Sequence, residues 1–337
     1  MSTRETRISG QRREAEPVTV VGAGPAGLAA GAEAARLGAR VMLFDEQPDP
    51  GGRLLCRVQP IFSGSAHGVE RPHRLAARLA AEAQSAGVAI ETGAVVAGFF
   101  PPGELLVVRD GEARRIRPDA TIVATGSTDL PFPFAGGTLP GVFSARAVQM
   151  LLHVHRVRPG RRFAIVGGDE YAEELAGDVI LAGGEVVWSG IAPASFLRAR
   201  GDGGVRELAV GQERHRVDVV VIAAGRQADP ALATMAGVPL GFAVAMGGLV
   251  PLVDERLESP VLRLFVAGEA AGVGSVAAII AEGRLAGVAA AASLGLAGEG
   301  MEEEARVAGG DELEWRQELR ASRQIVAVQP YEQAGIA

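Results

Sequence analysis

Val20-Val21-Gly22-Ala23-Gly24-Pro25-Ala26-Gly27-Leu28-Ala29-Ala30 is the stretch on which the reading of this chain turns. It continues the β-branched run Val18 to Val21, whose lack of polar alternation predicts a strand buried on both faces. It leads into an Ala-rich helix from about Ala26 to Leu37, ended by Gly38, and Arg40 to Phe44 reads as a second strand, completing a βαβ unit. In such a unit Gly22 permits the tight turn, Gly24 lets the backbone approach a pyrophosphate, and Gly27 lets the helix pack close to the strand. The helix N-terminus, which Pro25 and Ala26 begin, presents unbonded N–H groups and a positive dipole end to the phosphates. Asp45 ends the second strand about 20 residues further on, where its carboxylate is expected to accept hydrogen bonds from ribose hydroxyls. Glu46 and Gln47 adjoin it and join the candidate ligand-binding residues.

Outward from this unit the same alternation continues. Pro48 to Gly52 reads as a loop, Arg74 to Ala86 as a helix, Val88 to Thr92 as a strand, and residues 94–117, including Val95, as a small antiparallel meander. Ala120 to Ala124 is an apolar strand stopped by Thr125-Gly126, and Gly136 to Gly141 is a turn-rich linker. A second βαβ pattern starts at Phe163 to Val166 and continues through a helix to Leu181 and a strand at Glu185 to Trp188. Asp218 to Ala223 and Leu264 to Val266 are further strands, the last ending in Gly268-Glu269 before a long Ala-rich helix. The expected class is α/β: two Rossmann-like dinucleotide-binding domains, the second inserted into the first, with a small antiparallel β meander. The boundaries expected are a flexible tail over 1–16, a first domain from 17–135 and 241–298, a second over 155–240, and a C-terminal tail over 299–337. Within that tail a helix from Asp311 to Ile325, apolar at Leu313, Trp315 and Leu319, either docks a partner or packs on its own domain.

The second glycine motif is damaged. In Val166-Gly167-Gly168-Asp169-Glu170-Tyr171-Ala172, Asp169 stands where the second glycine belongs, so a Cβ obstructs backbone approach. Asp169 and Glu170 set negative charge where a pyrophosphate would lie, and Tyr171 adds bulk. A retained fold without a working NAD(P)H site is favoured over a live one.

Composition narrows the class. Of the 337 residues 48% are apolar and 22% charged, enough for a sizeable core, while aromatics are only 4%. The net charge of −7 disfavours phosphate-backbone attraction, so nucleic acid is not an expected partner. There is no lysine, which excludes Schiff-base chemistry. Cys56 is the single cysteine, so neither an internal disulfide, a dithiol relay nor an all-Cys iron–sulfur site is available within the chain, and Cys56 reads as a packing residue. No metal site is expected, since His153 and His155 lack further ligands. Arg12-Arg13 is not read as a leader because Glu14 and Glu16 follow; a cytoplasmic location is expected. Val273 to Leu296, broken by Glu282 and Arg284, reads as buried helix and not as a membrane span. Glu302 to Glu304 reads as a solvated charge run.

Further motifs carry a resemblance. Gly51-Gly52-Arg53 after the acid, Ala124-Thr125-Gly126, and Gly268-Glu269-Ala270-Ala271-Gly272 resemble the FAD-binding pyridine nucleotide-disulfide oxidoreductase superfamily over about residues 17–297. The resemblance implies FAD, with Gly52, Arg53, Ala124, Thr125, Gly126, Gly268 and Glu269 added to its contacts; Glu269 takes a position where the family usually carries Asp, opposite a ribityl hydroxyl. The run from Phe44 to Arg53, the run from Thr138 to Leu152, and Glu282 to Gly287 are similar to the α-type flavoprotein subunits of opine oxidases, dye-linked proline and hydroxyproline dehydrogenases and cyanide-forming glycine dehydrogenases. That similarity implies an electron-transfer subunit working with a D-amino-acid-oxidase-like catalytic flavoprotein and, in some relatives, a small iron–sulfur subunit. An FMN or iron–sulfur cluster would then be shared with or supplied by a partner, and ATP or NAD is an alternative occupant of the first site. A stand-alone NAD(P)H-dependent FAD oxidoreductase and a structural subunit with a non-turning-over nucleotide stand as alternatives. No catalytic residue is assigned.

Overall fold

The computed structural model describes residues 17–64, 67–100, 103–321 and 326–327, so the tail expected over 1–16 lies outside the described residues. Val18–Val21 (β1) is buried at every position. Helix α1 (Pro25–Arg36) opens with a proline at its first turn, where the missing N–H would have had no intrahelical partner. Then come β2 (Val41–Asp45), a 3₁₀ turn at Gly52–Cys56, helix α2 (Pro72–Ser85) and β3 (Ala89–Thr92). The meander forms as expected from β4 (Ala94–Phe100), β5 (Glu104–Arg109) and β6 (Glu112–Ile116), all antiparallel, before β7 (Ala120–Val123).

The chain continues through β8 (Ser127–Asp129), β9 (Val142–Ser144), α3 (Ala145–Gln149), β10 (Arg162–Val166), α4 (Glu170–Leu181), β11 (Glu185–Gly190) and β12 (Val219–Ile222). It returns through β13 (Arg226–Ala228), β14 (Leu264–Val266) and helix α5 (Val276–Ser293). A five-stranded parallel sheet runs in the order β14–β7–β1–β2–β3, and a four-stranded parallel sheet in the order β9–β12–β10–β11. Every strand of the second sheet falls in sequence between β7 and β14 of the first. The second sheet recruits Val142–Ser144, ahead of the expected boundary at 155, because these residues pair with Val220–Ile222. The antiparallel ribbon of β8 with β13 links the two sheets' chains.

One face of the first sheet is covered by α1, α2 and α5, with Leu28, Leu43, Leu75 and Phe265 fully buried among them. Each such side chain contributes about 1.5–3 kcal/mol through burial. The α1–α5 contact is a backbone approach: a Cβ on Gly283 would lie 2.2 Å from the Ala26 carbonyl oxygen, and one on Gly287 2.3 Å from that of Ala30. Helix α5 is long and apolar enough to cross a membrane by length and composition, but 72% of it is buried within the fold.

Two more helices follow, α6 (Met301–Ala308) and α7 (Gly310–Ala321). Glu302, expected to be solvated, instead pairs with Arg256 at 2.6 Å, because α6 lies over the 254–258 loop. Between the two readings left open for the tail helix, α7 packs on its own chain: Leu313 and Arg316 are fully buried. Residues 322–325 and the side chains of Trp315 and Leu319 lie outside what is described.

Candidate functional site

The C-terminal ends of β1, β2 and β7 open into a cavity of about 360 Å³. Strand order reverses at β1, with β2 on one side and β7 on the other, and open parallel sheets bind ligands in the crevice at that point. Every ligand-binding candidate from the sequence lines this cavity except Gly27 and Gly268, which form the wall behind it. At Gly22, φ is +107°, and a Cβ would strike the Ala124 carbonyl oxygen at 2.3 Å. A Cβ on Gly27 would lie 1.8 Å from the Gly22 carbonyl oxygen, and one on Gly268 2.5 Å from the Ala26 Cβ. These three glycines are required by packing. Gly24 differs, since a Cβ there would meet nothing within 4 Å, so its bare backbone borders the cavity.

Asp45 lines the cavity and also bonds the backbone on both sides of it. Its Oδ2 accepts the Ala23 N–H at 2.5 Å and its Oδ1 the Gln47 N–H at 2.8 Å. Burial pushes its carboxyl above the usual range, and the two N–H groups partly offset this. The carboxylate thus braces the glycine turn from within. Glu46 also lines the cavity, is exposed, and lies 3.3 Å from the Gln47 amide nitrogen.

The far end of the cavity is built on the β8–β13 ribbon. Glu269 accepts the Ser127 hydroxyl at 2.7 Å and is ion-paired with Arg226. Arg53 reaches Asp129 at 3.3 Å and the Tyr171 hydroxyl at 2.8 Å. The guanidinium groups of Arg53 and Arg226 lie 5.3 and 5.7 Å from the Tyr171 ring centre, a cation–π arrangement. Burial pushes the Tyr171 phenol up, and it stays protonated as a donor to Asp129 at 3.2 Å. Arg57 holds Glu174 through two hydrogen bonds of 2.9 and 2.6 Å. Tyr171 and Glu174, one turn apart on α4, thereby grip the Gly52–Cys56 turn. In the sequence Tyr171 reads only as bulk; its contact spans 118 positions and leaves no periodic trace.

The wall that carries Glu269 is locked from behind. Glu282 accepts the Gly268 N–H at 3.0 Å. Arg316, fully buried, donates to the carbonyls of Gly268, Gly272 and Val273 at 3.2, 2.8 and 3.0 Å and to Glu282 at 2.6 and 2.9 Å. Arg320 adds a contact to Glu282 at 2.5 Å. Burial alone would raise the Glu282 carboxyl, but Arg316 and Arg320 overcome it and hold the group below its ordinary range. None of this network could be anticipated from the tail's composition.

The second glycine turn is occupied by its own side chain. Asp169 caps α4, its Oδ1 accepting the Ala172 N–H at 3.1 Å, one of the groups a phosphate would need. Ile191 covers Gly168, whose Cβ would fall 2.7 Å from it. Cys56 is buried and does not line the cavity; burial pushes its thiol up, away from the reactive thiolate.

Residues 16–189 match the family described as pyridine nucleotide-disulphide oxidoreductase. An opine oxidase subunit of Agrobacterium tumefaciens (strain Ach5) is 28% identical over 349 residues, covering 88% of this chain and 69% of that protein. The alpha subunit of sarcosine oxidase from Corynebacterium sp. (strain P-1) is 32% identical over 186 residues, covering 50% of this chain and 19% of that one. In fold, the chain is similar to L-proline dehydrogenase from P. horikoshii, with a TM-score of 0.75 at 24% identity over 89% of this chain. It spans 61% of that solved chain.

Proposed function

Since this chain belongs to the pyridine nucleotide-disulphide oxidoreductase family, we propose that it is the FAD-binding electron-transfer subunit of a heteromeric amine or imino-acid dehydrogenase, of opine, proline, hydroxyproline or glycine type. The observation that carries this is the contrast between the two turns: Gly24 borders a cavity, whereas Asp169 at the matching position caps its own helix. In this reading the second turn takes no nicotinamide, and the single buried cysteine provides no dithiol to exchange electrons with a flavin. That exchange is assigned to a group brought by another polypeptide.

In this reading the N–H groups at the start of α1 take the pyrophosphate, Glu46 the adenosine ribose, and Val95 on the meander flanks the adenine. Gly52, Arg53 and Ala124 to Gly126 close over the middle of the ligand, and Glu269 stands at its far end. FAD, when bound, supplies reversible one- and two-electron chemistry. In this reading residues 17–135 and 241–298 form the cofactor domain, with 142–240 as its companion. The partner is a D-amino-acid-oxidase-like flavoprotein, with a small iron–sulfur subunit or FMN at their junction, and the assembly is cytoplasmic. The relatives named as subunits of oxidases support partnership.

The test is an absorbance spectrum of the purified chain, with the ligand released by heat and identified by mass. Flavin bands that persist with NADH, and bleach with an amine only when the partner is co-purified, are expected. Rapid bleaching by NADH alone would replace this reading with a stand-alone reductase. Release of ATP or NAD in place of FAD would remove the flavin from this chain.

A further inference from the structure

Four arginines line the cavity, Arg53, Arg57, Arg146 and Arg226. Three are neutralised within the chain: Arg53 by Asp129 at 3.3 Å, Arg57 by Glu174 at 2.6 Å, and Arg226 by Glu269. The guanidinium of Arg146 has no ion pair among the described residues. The carboxylate to which its backbone is tied makes no ion pair with its guanidinium. Asp129 Oδ2 accepts the Arg146 backbone N–H at 2.6 Å, while Oδ1 serves Arg53 and the Tyr171 hydroxyl at 3.2 Å.

The backbone that delivers Arg146 is firmly held. Ser144 caps α3 through the Ala147 N–H at 3.3 Å, and Ala145 and Val148 on either side of Arg146 are fully buried. One turn on, Gln149 is anchored to Asp178 at 3.1 Å. Arg146 lines the same cavity as Asp45 at the end of β2 and Arg53 of the Gly52–Cys56 turn. This side chain lies in the run from Thr138 to Leu152, to which the first turn and its ligand contacts gave no role.

A half-buried guanidinium with no ion pair gives up hydration that no direct carboxylate contact replaces. Its planar fork of five donors matches the oxygens of a phosphate. We propose that Arg146 is the anion anchor of this cavity and takes a phosphate oxygen of the bound nucleotide. The assignment rests on the reading that a nucleotide occupies the cavity. It adds a side-chain charge, delivered from beside the second sheet, to the backbone donors of α1 on the first.

The test is calorimetric titration of the nucleotide-stripped full chain with FAD, ADP and adenosine, for the wild type, Arg146→Ala and Arg146→Lys. Arg146→Ala should weaken FAD and ADP about 10- to 100-fold, the loss of one charge-assisted bond, and leave adenosine within about twofold. Arg146→Lys should recover part of the loss, and the salt dependence of ADP binding should be shallower in the alanine variant. If all three ligands weaken equally, or if FAD and ADP bind Arg146→Ala as tightly as the wild type, Arg146 is not an anion anchor. Wild type that takes ADP but not FAD, with ADP still lost in the variant, would remove the flavin reading and leave the anchor standing. Wild type that takes none of the three would overturn both.

Discussion

A Cβ placed on Gly22 would meet the Ala124 carbonyl oxygen at 2.3 Å; one placed on Gly167 would meet that of Ala223 at 2.1 Å. The first glycine of each turn is therefore demanded by the neighbouring strand, and both turns keep it. At the next position the backbones also agree: Gly24 has φ −73° and ψ −179°, Asp169 φ −103° and ψ 178°. Both are extended, a conformation any residue adopts. Nothing in the fold requires a glycine at either place. The first turn has one there, bordering a cavity, and the second does not. The comparison separates glycines that the chain needs for its own packing from one that its packing does not require.

The largest effect that could break this comparison is at Gly24. Gly24→Glu should weaken nucleotide binding at least about a thousandfold, the equivalent of about three phosphate hydrogen bonds, while the stripped protein melts where the wild type does. Full nucleotide occupancy in the purified variant would show that the turn is not the site. Next comes the wall opposite that turn, which Arg316 holds and for which the second turn has no counterpart on α7. Arg316→Ala should cost about 3 kcal/mol in urea unfolding, because it leaves Glu282 buried with a weaker partner.

The same network has a pH signature. Glu282 sits below its ordinary value of 4.5 in the folded chain, so its contribution is complete above about pH 4.5 and is lost as pH falls through the lower folded value. Glu282→Gln should flatten that acid limb, which a stability series between about pH 3 and 6 would reveal; an unchanged slope would mean other carboxylates dominate. Gly167→Ala should destabilise by about 2 kcal/mol through its collision with Ala223 and leave FAD affinity unchanged. The smallest effect is expected at Asp169→Gly, a few tenths of a kcal/mol from the weakened cap, without NADH binding in difference spectra. Strong NADH binding would show that one side chain was all that closed the second turn.

The βαβ units, the meander and the first turn's cavity-lining residues are legible in the sequence because each is local: a strand's burial, a glycine spacing and a helix's composition lie within a few dozen residues. What is not legible is long-range and polar. Arg226 and Ser127 are brought to Glu269 by a three-residue ribbon too short and too hydrophilic to register as strands. Arg316 looks like any tail arginine until the fold buries it beside Glu282. The place of Asp45 at the end of its strand is plain from the spacing, but its two backbone donors depend on how Ala23 and Gln47 turn, which no pattern reports.

The contact of α1 with α5 has a bearing on how the chain reaches this structure. Ala26 and Ala30 emerge early in synthesis, but Gly283 and Gly287, which close on their carbonyls, emerge after the whole second sheet. The strands of that second sheet all lie between β7 and β14 in sequence and can condense while the first βαβ unit still has an open flank. Completing the first sheet must then wait on loop closure across most of the polypeptide, the slow class of folding event. During that interval the Ala-rich faces of α1 and α5 lack their partners, and an interrupted chain would present them to chaperones or to other chains.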